Sequence, residues 1–398
     1  MATLRIVQSA IENNIRAIRA HTDKRIIAVV KEDGYGVGLR SAYRLYHGQG
    51  IDFFAVATPW EALQMTEMAE PSESILLLTP VDSVEACAEL AARGVIFMLG
   101  SSEQADILRQ AGGRAHCVPR VHLAIDTGLG RYGYIWSDVS AVPRDVQGLK
   151  VEGVYTHFAT QMRDVQRSIQ RQFSHFEQAL EVLRALHIDP GMTHACASLA
   201  FACMGDLGCD AIRVGSLLLG RCAGPLQNEF ENAVYLEAEI SRVTERCCGE
   251  YIGYDGYRLR RDVRVGLVRV GYADGAFLST HNDADGGLRP VLRSVRNWLR
   301  GGRTRSVSVA GKRVPVIGKI GMNHMLLDLT GASLLGGTMV RIEVNPILVR
   351  REIPRCFPES AAKNADRERS TRWTKLKTLC ANSGTVLWTV NGNSLLNL

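Results

Sequence analysis

No run of apolar residues in this chain of 398 approaches the roughly 18 needed to cross a bilayer as a helix, which excludes a helical membrane span. The opening residues, Met1-Ala-Thr-Leu-Arg5, lack the charged-then-apolar pattern of a secretory signal, so the expected location is cytoplasmic with no membrane partner. Ten cysteines follow neither a metal-ligand nor a disulfide spacing, and Cys247-Cys248 is vicinal; reduced, mostly buried thiols and no metal are expected. The first strand-to-turn junction has no G-x-G-x-x-G spacing, which argues against a dinucleotide-binding open sheet.

The net charge of +6 is uneven. Gly286–Arg313 holds seven arginines, Lys312 and no acid, and the tail 358–398 is also basic, so the remainder is mildly acidic. The arginine-rich stretch has Trp298 as its sole aromatic, so it reads as a solvated surface excursion, and no nucleic-acid partner is expected.

What is present is an alternation of short apolar runs with longer amphipathic stretches. Candidate strands are 25–30, 52–57, 74–79, 95–99, 118–125, 151–157, 192–197 and 211–214, with helical patterns at 83–92 and 164–187. In the latter, Ile169, Phe173, Phe176, Leu180 and Leu183 recur at three or four residues. Eight strands with intervening helices predict an α/β fold, a (β/α)8 barrel over 1–230; a doubly wound sheet is the alternative. After about residue 230 alternating runs separated by glycine turns predict a mainly-β C-terminal domain over 231–357, and 358–398 reads as a disordered tail.

Lys31 ends the first apolar run, Ile26-Ile-Ala-Val-Val30, and Gly34, Gly36 and Gly38 follow it. A lysine at the end of a buried strand is desolvated on one side, which favours its neutral amine and suits Schiff-base chemistry. A surface lysine after a strand is the alternative on this segment alone. Glu32 and Asp33 read as solvated loop charges. Other predicted strand ends carry Asp126 and Arg131, His157 and Arg213; an Asp126–Arg131 ion pair is one reading of the first two. The loops after the seventh and eighth strands supply Ser198, Gly215 and Ser216, residues suited to a phosphate. Lysine, phosphate cradle, imidazole and strand-end arginine together point to pyridoxal phosphate.

At these residues the chain resembles the alanine racemase family, a divergent bacterial branch of it. The matching segments are Ala28-Val-Val-Lys-Glu-Asp-Gly-Tyr-Gly36, Ile125-Asp-Thr-Gly-Leu-Gly-Arg131, Thr156-His-Phe-Ala159, Arg213-Val-Gly-Ser216, Val270-Gly-Tyr-Ala-Asp-Gly275 and Gly318-Lys-Ile-Gly-Met322, in family order. The resemblance implies a pyridoxal 5'-phosphate isomerase of D-alanine biosynthesis, a homodimer with shared active sites. Lys31 would serve one face of the substrate Cα, and Tyr272, lent by the partner subunit, the other. Arg213 would hydrogen-bond the pyridine nitrogen, supported by His194, and His157 would pack on the ring. Tyr35, Ser198, Gly215 and Ser216 match phosphate ligands, and Arg131 with the Met322 amide would hold the substrate carboxylate.

Several positions depart from the family pattern. Ala124 stands where many members carry a lysine, Ala197 replaces an asparagine, Asn323 an aspartate and Leu219 a tyrosine. A C-terminal phosphate-binding tyrosine is missing, with Arg351 near its place. Alanine is the leading substrate; serine or a broader range, a basic amino-acid decarboxylase and an inactive pyridoxal-phosphate-binding protein are the alternatives.

Overall fold

The structure is a computed structural model. It describes residues 2–160, 164–278, 305–332 and 335–357 and the strands Trp388–Val390 and Ser394–Leu396. The chain divides into two compact units, Met1–Cys356 and Phe357–Leu398. In the second unit the two strands pair antiparallel. The remainder of the expected tail and most of the stretch 286–313 lie outside the described residues.

In chain order the first unit contains β1 (Thr3–Ile6), β2 (Arg25–Val29), β3 (Phe53–Val56), β4 (Ser74–Leu77), β5 (Ile96–Leu99), β6 (Arg120–Asp126), the short β7 (Tyr134–Ile135), β8 (Lys150–Thr156), β9 (Met192–Ala197) and β10 (Ala211–Val214). All but β1 and β7 form an eight-stranded parallel barrel, closed where β5 meets β6 and β10 meets β2. Every candidate strand of the barrel reading falls on one of these. The reason is burial on both faces: β3 and β5 are buried throughout, so they read as unbroken apolar runs rather than alternating ones. Ile27, Val29, Phe53, Ala55, Leu76, Ile96 and Ala211 pack as one cluster.

The helices around the barrel carry their start signals in sequence. Thr58 caps Pro59–Thr66 by accepting from the Glu61 amide, while the Glu61 carboxylate accepts from the Thr58 amide. Asp164 caps the 21-residue helix Val165–Ala185, which buries Ile169, Phe176, Leu180 and Leu183 of the predicted face and leaves Phe173 half-buried. Gln172 is buried on the same helix, and its amide pairs with both backbone groups of Ala159 at 2.9 and 2.8 Å. It thereby fixes the segment that follows His157. No helix among the described residues is long and apolar enough to cross a membrane.

The C-terminal part is mainly β. It comprises β11 (Val234–Arg246), the small hairpin β12 (Tyr251–Ile252) and β13 (Tyr257–Arg258), β14 (Val263–Val268), β15 (Ser306–Val309), β16 (Lys312–Ile317), β17 (Met325–Asp328), β18 (Met339–Glu343) and β19 (Arg355–Cys356). β11 pairs with both β14 and β18, so the sheet closes on itself. Its first eight residues alternate buried and less buried, the pattern of a one-faced strand. β1, which sequence patterning did not single out, joins this second sheet against β11.

Candidate active site

The turn after β2 is the most strained backbone in the barrel. Lys31–Tyr35 forms a single helical turn, left-handed at Glu32, Asp33, Gly34 and Tyr35, with φ of 54°, 54°, 64° and 57°. Each non-glycine residue in that conformation costs roughly 1–2 kcal/mol. Hydrogen bonds hold it: Asp33 N–H donates to Glu61 Oε1 at 3.3 Å, and Asp33 Oδ1 accepts from the Leu39 amide at 2.7 Å. Asp33 is therefore a turn-locking group, contrary to its reading as a solvated charge; Glu32 is exposed. Gly36 follows at φ 84°, and a Cβ there would sit 2.2 Å from the Pro346 carbonyl oxygen, so only glycine fits.

Lys31 emerges from this turn into a cavity of about 260 Å³ at the carboxyl ends of the barrel strands. Tyr35, Arg131, His157, Ser198, Arg213, Gly215 and Ser216 line it with Lys31, so eight candidate residues from five separate segments converge. Ala197 lines it too, as do Ala57, Leu78, Thr79, Tyr155 and Leu199, which were not singled out in the sequence. Burial is the main cause lowering the Lys31 pKa, and the neighbouring Arg131 guanidinium adds to it. The amine is thus poised toward its neutral, nucleophilic form. Burial also raises the Tyr35 phenol above its usual range.

Gly215 is a close-approach glycine: a Cβ would lie 2.5 Å from the Tyr35 ring, so its absence lets that ring lie over the β10 loop. The Ser198 hydroxyl accepts from the Gly215 and Leu217 amides at 3.2 and 3.3 Å. These neutral donors, a hydroxyl and a phenol form a cradle suited to a phosphate.

Arg213 is buried and anchored from behind. One Nη donates to His194 Nδ1 at 2.6 Å; the other donates to the Thr156 carbonyl at 2.9 Å and His157 Nδ1 at 3.2 Å. A guanidinium only donates, so His194 Nδ1 must accept and its proton must sit on Nε2. That Nε2 contacts His122 Nδ1 at 2.8 Å, so His122 in turn accepts and carries its proton on Nε2. Burial drives His122 down to about 3 and His194 well below its ordinary value, and the Arg213 charge lowers both further. Both stay neutral, as an arginine held by acceptors requires. His157 is likewise pushed down to about 3 by burial and then by Arg213. His122 escaped the sequence reading. Its signal was the alternation His122, Ala124, Asp126 along β6, which puts it on the inward face, and Gly153 clears room for its ring.

Asp126 forms no described ion pair with Arg131. Its carboxylate accepts from the amides of Gly128, Leu129 and Gly130 at 2.9–3.1 Å and shapes the loop that carries Arg131. Arg131 lies 5.4 Å from the Tyr132 ring centroid. Ala124 packs with Met98 and Tyr155, so an apolar wall occupies the place of the family lysine. Arg351 is exposed and lines neither this cavity nor the adjoining hollow; Asn345 does line that hollow, beside Ser216.

Tyr272 and Met322 are not brought to Lys31. They sit together in the C-terminal part, where Tyr272 N–H donates to the Gly321 carbonyl at 3.1 Å and Ala273 N–H to that of Met322 at 3.0 Å. Both side chains are solvent-facing, at 44% and 55% exposure. The turn is rigid: Asp274 accepts from the Gly271 amide at 2.9 Å and pairs with Arg350 at 2.5 Å.

Comparison with known proteins agrees with this architecture. The alanine racemase N-terminal domain family model matches residues 6–222 and the C-terminal domain model residues 233–346. An alanine racemase of Methylacidiphilum infernorum is 29% identical over 81% of this chain and 77% of its own length. A serine/alanine racemase of Enterococcus gallinarum is 30% identical over 77% of this chain and 42% of its own. The solved alanine racemase of D-cycloserine-producing Streptomyces lavendulae superposes with a TM-score of 0.74 at 23% identity, covering 91% and 98% of the two chains. Barrel, second sheet and matched segments together place the chain in the alanine racemase family.

Proposed function

We propose that this protein is a pyridoxal 5'-phosphate-dependent racemase that interconverts L- and D-alanine, working as a homodimer whose active sites are shared. The observation that carries the reading is the convergence of Lys31, a neutral-donor cradle and an acceptor-anchored Arg213 on one cavity. Those residues fit the cofactor: Tyr35, Ser198, Gly215 and Ser216 would hold its phosphate, His157 its ring face and Arg213 its ring nitrogen. When bound, the cofactor supplies an aldehyde that condenses with an amine and a ring that acidifies the substrate Cα–H.

The chain's own groups do the rest. Arg213 keeps its proton, so it leaves the ring nitrogen bare and limits charge build-up on the ring. Lys31, with its lowered pKa, takes or returns a proton on one face of Cα. Inversion needs a second acid-base group opposite. Tyr272 is exposed and held on a rigid turn, as a group offered to a second copy would be. Arg131 and the Met322 amide of the second copy would hold the substrate carboxylate. In this reading residues 1–230 and 231–357 are the barrel and β domains, except that β1 crosses over to join the second sheet.

The test is a racemisation assay with L-alanine and added pyridoxal phosphate, followed by circular dichroism. Loss of optical activity, abolished by Lys31→Ala, is expected; optical stability with every amino acid tried would overturn the proposal. The serine/alanine racemase among the relatives favours a second reading, in which serine is also a substrate. L-serine belongs in the same assay.

A further inference from the structure

A cation lies beside the phosphate cradle that no assigned role uses. Ser216 lines the active-site cavity and also a second, more open hollow of about 660 Å³, whose wall includes Gly220, Arg221, Glu343 and Asn345. Arg221 is tied to the cradle at its backbone, where its N–H donates to the Ser216 carbonyl at 2.9 Å. Its side chain turns toward the C-terminal part, and Nη1 donates to the Val344 carbonyl at 2.8 Å. Gly220, at φ 71°, makes the turn that launches it and has no room for a Cβ, which would sit 1.7 Å from the Glu231 carbonyl oxygen.

Arg221 is an exposed cation at the wall of this hollow. Desolvation alone lowers its pKa, with no acidic neighbour raising it, although Glu343 shares the hollow. Among the described residues it forms no ion pair. The cradle is the reverse case: Tyr35, Ser198, Gly215 and Ser216 are all neutral, whereas a phosphate monoester carries about −1.5 to −2 charges at pH 7. The cations of the active-site cavity itself, Lys31, Arg131 and Arg213, are claimed by the aldehyde, the substrate carboxylate and the ring nitrogen.

We infer that Arg221 is the counter-charge for the cofactor phosphate, facing it across Ser216 from the open hollow. This rests on the cofactor reading above. Arg221 is a binding residue for the phosphate and takes no part in proton transfer.

The experiment compares pyridoxal phosphate with pyridoxal, which offers the same aldehyde to Lys31 without the charge. Apparent affinities are read from the absorbance of the lysine-linked aldehyde in apoprotein, for the unmodified chain, R221Q and R221K. R221Q is expected to weaken pyridoxal phosphate about 10–100-fold, the range for a hydrogen bond to a charged group, and to leave pyridoxal unchanged. R221K should keep most of the preference, because it keeps the charge. Only the ratio of the two affinities is scored, and a general loss of folded protein cancels from it. R221M replaces R221Q if the glutamine variant does not fold. An unchanged ratio in R221Q overturns the role of Arg221 while leaving the cofactor reading intact. Failure of the unmodified chain to capture either aldehyde overturns the cofactor reading itself.

Discussion

The mouth of the barrel and the Tyr272 turn are both rigid, yet they complete themselves differently. At the barrel mouth each charged group meets its surroundings within one chain: Lys31 is desolvated, Arg213 is anchored by three acceptors, and a left-handed turn is held by Glu61 and Asp33. At Gly271–Gly275 the backbone is equally well fixed, but Tyr272 and Met322 end in solvent. The lesson is that preorganisation and completeness are separate properties. In the proposed function the barrel supplies half of a two-sided acid-base site, and the turn would offer the other half to a second copy.

The largest expected effect tests that division. Tyr272→Phe and Lys31→Ala should each lower racemisation by about 10²–10⁴-fold, the usual worth of an acid-base group. Mixing the two inactive proteins should restore activity, since a mixed dimer holds one intact site. No recovery after subunit exchange, measured by circular dichroism, would break the comparison.

Next in size is Gly36→Ala, which forces a Cβ against the Pro346 backbone at φ 84°. A loss of about 1–3 kcal/mol or more is expected by denaturant unfolding, as for other overpacked sites. Gly113→Ala, with open space at its Cβ, should cost far less.

A smaller effect concerns the buried histidines. His122 titrates near 3 in the fold against an ordinary 6.5, so the unfolded chain takes up a proton across that window and the native chain does not. Stability from this group is complete above pH 6.5 and falls as the pH drops toward 3. His122→Gln keeps an acceptor for His194 and should flatten the acid-side fall in Tm. An unaltered profile would remove His122 from the Arg213 anchor.

The smallest effect is a pH midpoint. Because burial lowers the Lys31 pKa, aldehyde capture should rise with pH around a midpoint below the ordinary 10.5. A midpoint at or above that value would place the amine in solvent.

Much of this was legible in the sequence. The barrel strands were, because doubly buried strands are continuous apolar runs, and so was the converging set, because strand ends of a barrel meet at one face. What was hidden depends on partners distant in sequence. β1 is a four-residue strand whose meaning lies in its pairing with β11. Asp33 looks like any loop acid until its bond to the Leu39 amide is seen. His122 needs His194 and Arg213 to acquire a role, and Asp126 prefers three loop amides to the arginine beside it in sequence.

The central claim is that the amine at position 31 captures the cofactor aldehyde in the barrel cavity. Borohydride reduction of the protein loaded with pyridoxal phosphate, followed by peptide mapping, tests it directly. The account predicts one phosphopyridoxyl group, on the peptide containing Lys31. A label on another lysine, or none, would contradict it.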